Sequence, residues 1–388
     1  MKILMISTLN LSKPNGGTAH FTSIAQGFRK YGHTVDAIIP DFGDDRAAHE
    51  LASQSFDTIT FSSNNFSRFL PLSKTSINSL AQLFQTLTFN MSSYDWVYVR
   101  SNILSCLIAL ALRFKGIKTI ITEHNGWFSD ELSMMGVPFI FKRLLNFVQV
   151  LDARLARQVR VVVPGIQEKL IDCGISKDKI TIIGNGTNLD LFYPIDKETA
   201  LTKIGLDPNY FYLGFIGDLE LWQGVETAIE AMPIICQKYP NTRLLIIGEG
   251  RQLEPLKKKY SDRASLQFLG SVPYRESNLY INSFDIALLP KCGLSTIGFS
   301  PIKLYAYAAA GRAILASNIR GISELEAASF VVLHQPGNPQ DLAQKAIKMM
   351  SDRDYLNKMG AAARHYAELH FSWELVAKKI LDAMQEID

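Results

Sequence analysis

Residues 212–232, YLGFIGDLELWQGVETAIEAM, contain the pattern that decides the fold: an apolar strand, a glycine-containing turn and then a helix. The run YLGFI is apolar at nearly every position, which is typical of a strand buried on both faces. The same pattern recurs in the strand candidates RLLIIGEG, LQFLG, DIALLP, AILAS and FVVLH. Because apolar strands that alternate with helices form parallel sheets covered on both sides, the second half predicts a doubly wound α/β domain.

The first half of the chain repeats this alternation. Its strand candidates are KILMIST, TVDAII, TITFS, WVYVRS, KTIITEH and VRVVVP. Between the two halves, residues 181–196 (TIIGNGTNLDLFYPID) are rich in Gly, Asn and Pro, which is typical of a connector. We therefore predict an N-terminal domain over residues 1–187 and a C-terminal domain over 188–370. Residues 371–388 predict a terminal helix that packs back on the N-terminal domain or simply ends the second one.

Composition and charge restrict the classes of partner. The 388 residues are 47% hydrophobic, and their formal net charge of +3 is too small to indicate nucleic acid. The charge is unevenly distributed. Residues 1–187 carry 19 Lys and Arg against 14 Asp and Glu, a net charge of +5, and the remaining residues have a net charge of −2. This asymmetry favours an anionic partner for the first half, such as a peripheral contact with a membrane surface.

Cysteine usage and the N-terminus predict a cytoplasmic protein. The four cysteines have no paired spacing, so neither a zinc site nor a disulfide framework is expected. The chain enters a strand pattern at its second residue, without the apolar region of a signal peptide.

Two loops of the first half are candidates for ligand binding. Gly16 and Gly17 follow the first strand and precede a helix, where a ligand can approach the backbone and an anion is favoured. His124, flanked by Glu123 and Asn125, stands at the carboxyl end of the fifth strand, where doubly wound folds bind ligands. The alternatives are an ordinary flexible loop for the glycines and a helix-capping role for the histidine.

The second half contains two similar turns between a strand and a helix. Gly217 and Gln223 lie in the turn after the first strand, and Gly224 opens the next helix. Gly248 and Gly250 lie in the turn of RLLIIGEG. A phosphate on these helix ends is one interpretation, and tight turns without a ligand are the other.

Residues 298–317, GFSPIKLYAYAAAGRAILAS, predict a helix whose first turn binds an anion. Ser300 is the expected N-cap, Pro301 the first helical residue and Gly311 the C-terminal stop. Lys303 lies in the first turn, beside free backbone amides. Close packing explains the alanines, but it does not explain a lysine in this apolar segment.

The order and spacing of these motifs resemble the family 4 retaining glycosyltransferases of GT-B architecture. The resemblance covers nearly the whole chain, and the GxSPxKLxxY segment is similar to the family's "SPxKLxEY" variant. It implies two Rossmann-like doubly wound parallel-sheet domains that face each other across a cleft. It also implies transfer of a sugar from a UDP- or GDP-sugar donor to a glycan or lipid-linked acceptor, without a metal or another cofactor.

The resemblance also implies roles for individual residues. In such enzymes, Gly16 and Gly17 approach the donor phosphates and His124 lies near the transferred sugar. Gln223 and Lys303 lie on the diphosphate side. The backbone around Val272 lies near the base, and the turn at Phe299 and Ser300 touches the sugar and phosphates.

Several positions depart from the family pattern. The family's two glutamates correspond to Gly298 and Ala306, and the second normally accepts the ribose hydroxyls. The family's basic pair is replaced by Asp218 and Gln223. Loss of one charged hydrogen bond costs about 1.5–3 kcal/mol, which weakens binding without abolishing it. An active transferase therefore remains the main interpretation, with a catalytically weakened partner in a glycosylation complex as the alternative. A GT-B epimerase or phosphorylase fits the motifs poorly.

Overall fold

The computed structural model describes residues 1–12, 16–62, 74–130, 140–292 and 297–386, which fold as two compact α/β units. One unit consists of Met1–Asn185 together with Trp373–Asp388, and the other of Gly186–Ser372. Each unit is built on one parallel sheet, which confirms the predicted pair of Rossmann-like domains. The first boundary lies two residues before the one predicted from the sequence.

The first unit has a seven-stranded parallel sheet in the order β3-β2-β1-β4-β5-β6-β7. Its strands are β1 (Lys2–Ile6), β2 (Thr34–Pro40), β3 (Thr58–Ser62), β4 (Trp96–Arg100), β5 (Ile120–His124), β6 (Gln158–Val161) and β7 (Ile180–Ile182). Its helices are α1 (Gly16–Lys30), α2 (Arg46–Ser55), α3 (Lys74–Thr88), α4 (Ser105–Phe114), α5 (Ile140–Leu155), α6 (Pro164–Asp172) and the terminal α14 (Trp373–Gln385). Helix α14 packs against α1, where Gly27 leaves room for Ala377.

The prediction of a connector over residues 181–196 is wrong at its start. Ile180–Ile182 form β7, which pairs in parallel with β6. Three residues are too few for a hydrophobic periodicity to stand out, and the turn-rich residues after Ile183 hide the strand.

The second unit has a six-stranded parallel sheet in the order β10-β9-β8-β11-β12-β13. Its strands are β8 (Phe211–Ile216), β9 (Thr242–Ile247), β10 (Leu266–Gly270), β11 (Ile286–Leu289), β12 (Ala313–Ser317) and β13 (Val331–His334). Its helices are α7 (Lys197–Ile204), α8 (Val225–Lys238), α9 (Leu253–Lys259), α10 (Ser277–Asn282), α11 (Ile302–Ala309), α12 (Pro339–Met350) and α13 (Arg353–His370).

The strand orders locate the expected ligand sites. The order reverses between β1 and β4 in the first sheet and between β8 and β11 in the second. Open α/β sheets bind ligands outside the carboxyl ends of the strands at such a reversal. In the second unit, α11 is tied to this place because the Tyr307 hydroxyl accepts a 3.1 Å hydrogen bond from the Ile216 amide at the end of β8.

Candidate functional site

Two loops meet where the strand order of the second unit reverses. The loop after β8 contains Trp222 and Gly224, and the loop after β11 contains Pro290 and Cys292. The Cys292 amide donates a 3.1 Å hydrogen bond to the Trp222 carbonyl oxygen. Gly224 has a φ of +65°, and a Cβ there would lie 1.9 Å from the Pro290 carbonyl oxygen. Glycine at this position therefore permits both the left-handed turn and the close approach of the two loops.

Lys303, in the first turn of α11, reaches the loop after β8. Its Nζ donates a 2.9 Å hydrogen bond to Gln223 Oε1 and lies 4.2 Å from the centre of the Phe215 ring. A Cβ at Gly217 would lie 2.7 Å from this Nζ, so the glycine makes room for the ammonium group. The structure thus brings together three residues that the sequence singled out, and Lys303 keeps partial exposure.

Lys291 is a second cation at this place, and the sequence analysis missed it. Its side chain is buried, with 5% exposure, and its Nζ lies 4.2 Å from the centre of the Phe299 ring. The available signal was its position directly after the strand pattern DIALLP, at the carboxyl end of β11. Because Cys292 and Pro290 contact Trp222 and Gly224, the backbone of Lys291 is held beside the start of α8.

The two lysines lack a compensating carboxylate. Among the described residues, neither forms an ion pair with Asp or Glu, although the charge of the exposed Asp218 acts on Lys303. Burial lowers the pKa of Lys291 to about 8. Burial, and secondly the charge of Lys291, lower the pKa of Lys303 well below its usual value. An anion bound here would therefore stabilise both ammonium groups. The amino ends of α8 and α11 carry partial positive charge, so they also favour an anion.

The start of α11 differs from the prediction by one residue. Pro301 is the N-cap, with no side-chain capping bond, and Ile302 is the first helical residue. The prediction that Ser300 caps the helix is wrong, because its Oγ lies 2.8 Å from the Tyr305 hydroxyl instead. The extended backbone of Pro301 delays the start of the helix by one residue.

The turn before α11 requires glycine at one family glutamate position. Gly298 has a φ of +95°, and a Cβ there would lie 2.6 Å from the Arg320 carbonyl oxygen. The next residue, Phe299, donates its amide to the same oxygen at 3.0 Å. A glutamate at position 298 does not fit this turn, so the departure belongs to the local backbone.

Other predicted positions of the second unit have packing roles in the structure. Ala306 is buried within the apolar core of the unit, and Val272 packs against the same core. A Cβ at Gly248 would lie 2.1 Å from the Gly217 carbonyl oxygen, and one at Gly250 would lie 2.5 Å from that of Leu219. These two glycines therefore let the loops after β8 and β9 touch, and their contacts with a ligand stay predictions.

In the first unit, Gly16 and Gly17 are the first two residues of α1 and are partly exposed. They follow β1, one of the two strands at which the order reverses. The structure thus places them at the expected ligand edge of the sheet.

Glu123 is the centre of a buried charged cluster. Its carboxylate accepts hydrogen bonds from Arg160 Nη1 at 2.8 Å and from the Tyr98 hydroxyl, and it pairs with Arg100 at 3.3 Å. His20 Nε2 lies 3.3 Å from the same carboxylate. Burial lowers the pKa of His20 to about 4, so the imidazole is neutral at pH 7. Glu123 is fully buried, and its predicted contact with substrate stays a prediction.

Arg160 connects this cluster to the end of the unit. Its Nε donates to the Ile183 carbonyl at 3.1 Å, and its Nη2 donates to that of Gly184 at 3.0 Å. The His20 ring stacks on Trp373 of α14 at 4.8 Å between centroids. The signal for this cluster was an arginine within the apolar strand pattern VRVVVP.

His124 is also fully buried, on the opposite side of β5 from Glu123. Gln149 Nε2 donates to its Nδ1 at 3.2 Å, so the ring proton is on Nε2. That nitrogen lies 3.2 Å from Thr122 Oγ1 and 3.5 Å from Asp152 Oδ2. Burial lowers the pKa of His124 to about 4 and raises the pKa of Asp152 to about 7.

Next to His124, Asn125 is partly exposed, and its amide donates to Glu123 Oε1. The structure therefore gives His124 internal partners, and its contact with a sugar stays a prediction.

Comparisons with known proteins agree with this architecture. Residues 14–191 match the family model described as Glycosyltransferase Family 4, and residues 196–366 match that of Glycosyl transferases group 1. One relative is the GDP-mannose-dependent monoacylated alpha-(1-6)-phosphatidylinositol monomannoside mannosyltransferase of Corynebacterium glutamicum. It is 25% identical over 197 residues, which are 50% of this chain and 51% of that protein. The chain thus spans about half the length of the first curated relatives that it matches.

Two solved structures share the fold. Sucrose-phosphate synthase from Thermosynechococcus elongatus has a TM-score of 0.79 at 17% identity, with 100% of this chain and 98% of that chain covered. Anabaena HepE, in complex with UDP and glucose, has a TM-score of 0.77 at 18% identity, with 100% of both chains covered. The two family models, the two parallel sheets and the GT-B neighbours lead to one conclusion: the chain belongs to the group 1 and family 4 glycosyltransferases.

Proposed function

We propose that this protein is a retaining glycosyltransferase that moves a sugar from a nucleoside diphosphate donor to a hydroxyl group of a glycan or lipid-linked acceptor. The observation that carries the proposal is the pair Lys291 and Lys303 at the reversal of strand order in the second unit. Two ammonium groups without a carboxylate partner among the described residues suit a ligand with several negative charges, such as a diphosphate.

The chemistry assigned to the lysines is stabilisation of the leaving group. The bond between the anomeric carbon and the diphosphate oxygen breaks, and negative charge develops on that oxygen. A fixed ammonium group stabilises this developing charge in the transition state more than it stabilises the uncharged ester oxygen of the ground state. It therefore lowers the barrier. The acceptor hydroxyl forms the new bond on the same face of the sugar, and its proton leaves with the diphosphate. In this proposal the lysines supply the positive charge, and no metal or cofactor has a role.

In this proposal the first unit binds the acceptor, and its Gly16 and Gly17 approach the donor phosphates. Gly16 and Gly17 lie at the carboxyl edge of the first sheet, where ligands are expected. Gln149 holds a neutral His124, with its proton on Nε2, at the end of β5. The relative from Corynebacterium is named for a lipid-linked acceptor and for GDP-mannose, whereas HepE was solved with UDP. Both UDP and GDP are therefore tested as donor nucleotides. If the acceptor is lipid-linked, the proposal also includes a peripheral position at a membrane.

Calorimetry with UDP and GDP, followed by release of the diphosphate from UDP- and GDP-sugars, tests the proposal. We expect micromolar binding of one nucleotide and slow hydrolysis or transfer from its sugar. Lys303→Met should raise the donor KM or lower kcat, and unchanged kinetics would contradict its phosphate role. If neither nucleotide binds at millimolar concentration, the proposal fails and the weakened binding partner of a glycosylation complex is the better description.

A further inference from the structure

The first unit has an apolar surface on three neighbouring helices. Helix α3 packs against α4, and α4 packs against α5. Half of the sixteen exposed large hydrophobic side chains of the described residues lie on or beside these helices. They include Phe84 and Leu87 of α3, and Leu144 and Phe147 of α5. We call these residues, together with the stripe on α4 given next, the apolar helical face.

Helix α4 carries the central stripe of this face. Ile103 lies two residues before the helix begins, and Leu107, Leu110 and Phe114 follow at spacings of four, three and four residues. Such spacing places the side chains on one side of a helix. Phe114 is 81% exposed and Phe147 is 61% exposed, which is costly in water unless something covers them.

Hydrogen bonds fix the direction of the three helices. Arg113 Nε, in the last turn of α4, donates to the Leu155 carbonyl at the end of α5 at 2.7 Å. Lys115 Nζ donates to the Leu87 carbonyl near the end of α3 at 2.8 Å. The carboxyl ends of the helices therefore lie together. Their amino ends, with Ile103, lie at the carboxyl edge of the sheet, where ligands are expected.

Most charges around the face are positive. Within residues 80–119 and 142–155, the acids are Asp95, which precedes β4, and the fully buried Asp152 of α5. Helices α4 and α5 hold Arg113, Lys142, Arg143 and Arg154, and Lys118 is exposed just beyond α4. A second copy of this chain would bring bases against bases, whereas a bilayer with anionic lipids offers both acyl chains and negative charge.

We propose that the apolar helical face docks this protein on the surface of a bilayer that contains anionic lipids. None of the helices that the structure describes is both long and apolar enough to cross a bilayer, so the contact is peripheral. Phe114, Phe147 and their neighbours enter the boundary between headgroups and acyl chains, and the surrounding bases contact lipid phosphates. The proposal rests on the proposed function only in that a lipid-linked acceptor would be presented at this surface.

Flotation of the full chain with vesicles tests the proposal, with no nucleotide or acceptor present. Vesicles of phosphatidylcholine with about one third phosphatidylglycerol should bind the protein, and pure phosphatidylcholine should bind it much less. Raising the salt from 0.1 to 1 M should weaken the electrostatic part, because the Debye length falls from about 10 to about 3 Å. The paired variant Phe114→Ser with Phe147→Ser should lower the partition coefficient at least roughly tenfold.

Matched variants separate the two components of the contact. Leu369→Ser removes a similarly exposed apolar side chain from α13 in the other unit and should leave vesicle binding unchanged. Arg143→Gln with Lys118→Gln should lower binding to anionic vesicles roughly tenfold or more and leave the weak neutral-vesicle binding as it was.

Three outcomes would overturn the inference: no binding to anionic vesicles, equal binding by the paired phenylalanine variant, or a concentration-dependent dimer that the same variant abolishes. The last would assign the face to a second copy. UDP and GDP binding by the variants, measured in parallel, reports on the proposed function independently of the membrane.

Discussion

Replacing Lys291 by methionine should stabilise the unliganded protein and weaken its binding of the nucleotide. Methionine keeps the length of the apolar stem and removes the ammonium group. The folded protein gains because a buried charge with no carboxylate partner among the described residues disappears. The nucleotide complex loses a charge-assisted hydrogen bond. Opposite signs for stability and affinity are expected of a binding residue and not of a residue that only packs.

The magnitude for stability follows from the pKa of Lys291. Burial lowers this pKa from 10.5 to about 8, so the folded state binds the proton less strongly than the unfolded state does. At 1.36 kcal/mol per pKa unit, the charged lysine costs up to about 3 kcal/mol below pH 8. This cost fades as the pH rises from 8 to 10.5, so the gain from methionine should be full at pH 7 and small at pH 10. For a unit of this size, about 3 kcal/mol corresponds to a Tm higher by roughly 6–12 °C.

The magnitude for binding follows from the lost contact with phosphate. A hydrogen bond to a charged group contributes about 1.5–3 kcal/mol, so the Kd for UDP or GDP should rise roughly 10- to 150-fold. Lys303→Met should have an effect of similar size on binding. Because the charge of Lys291 lowers the pKa of Lys303, the Lys291→Met variant should also raise the pKa of Lys303.

Thermal unfolding at pH 7 and pH 10, together with calorimetry of UDP and GDP, measures both effects. Lys348→Met is the control, because it removes the same charge from an exposed position of α12 in the same unit. It should change neither Tm nor Kd appreciably. An unchanged Kd in the Lys291→Met variant would refute the two-lysine site, even if the protein became more stable.

Three further changes test other parts of the structure. Gly224→Ala should lower the free energy of unfolding by more than about 2 kcal/mol and weaken nucleotide binding, because its Cβ would collide with the Pro290 carbonyl oxygen. Gly205→Ala, at a similar φ but in open space, should cost only about 1–2 kcal/mol; urea unfolding and calorimetry compare the two, and equal effects would contradict the steric argument. The contribution of His124 to stability should fall by up to about 3 kcal/mol as the pH drops from 6.5 to 4, because burial lowers its pKa to about 4 and only the unfolded imidazole gains a proton in that window. Asp152, whose pKa burial raises to about 7, contributes with the opposite sign in wild type and variant alike, so the comparison of the two isolates His124. Urea titrations at pH 7, 5.5 and 4.5 should give a flatter dependence for His124→Gln, and an equal slope would show that the ring is not held neutral. Ala306→Glu should lower the Tm in the absence of nucleotide, because it puts a carboxylate into the apolar core. It should raise the affinity for UDP relative to pyrophosphate about tenfold, because the carboxylate would accept hydrogen bonds from the ribose hydroxyls. Calorimetry measures both affinities, and an unchanged ratio of the two would place the ribose elsewhere.

The sheets could be predicted from the sequence because their strands are apolar on both faces and well separated. The strand candidates WVYVRS and AILAS correspond to β4 and β12 within a residue at each end. Strand β7 escaped because three residues at an edge carry no periodicity. The loop that a turn packs against is not visible in the local sequence, so the contact of Gly248 and Gly250 with the loop after β8 could not be predicted, and their contact with a ligand stays a prediction.

The candidate site was only half predictable. Lys303 was identified because a base in an apolar helix needs a reason, and its contact with Gln223 joins two segments 80 residues apart. Lys291 was missed because a single lysine after a strand is ordinary in sequence and becomes significant only when burial and neighbours are known. Conversely, Glu123 looked available for a ligand, and only its partners on three other strands and helices show that it is buried.

The departures from the family pattern in the second unit are physically linked. The neutral amide oxygen of Gln223 accepts the hydrogen bond of Lys303 at 2.9 Å. A lysine at position 223 would place two ammonium groups in contact beside the third charge of Lys291, with a repulsion of several kcal/mol in a partly buried site. A lysine in the first turn of α11 therefore disfavours a second lysine at position 223, and Lys291 supplies a second positive charge at the site. Gly298 follows from the turn that delivers α11 to this place. Ala306 has no such compensation among the described residues. In the proposed function, its loss concerns the contact with the ribose and not the contact with the diphosphate.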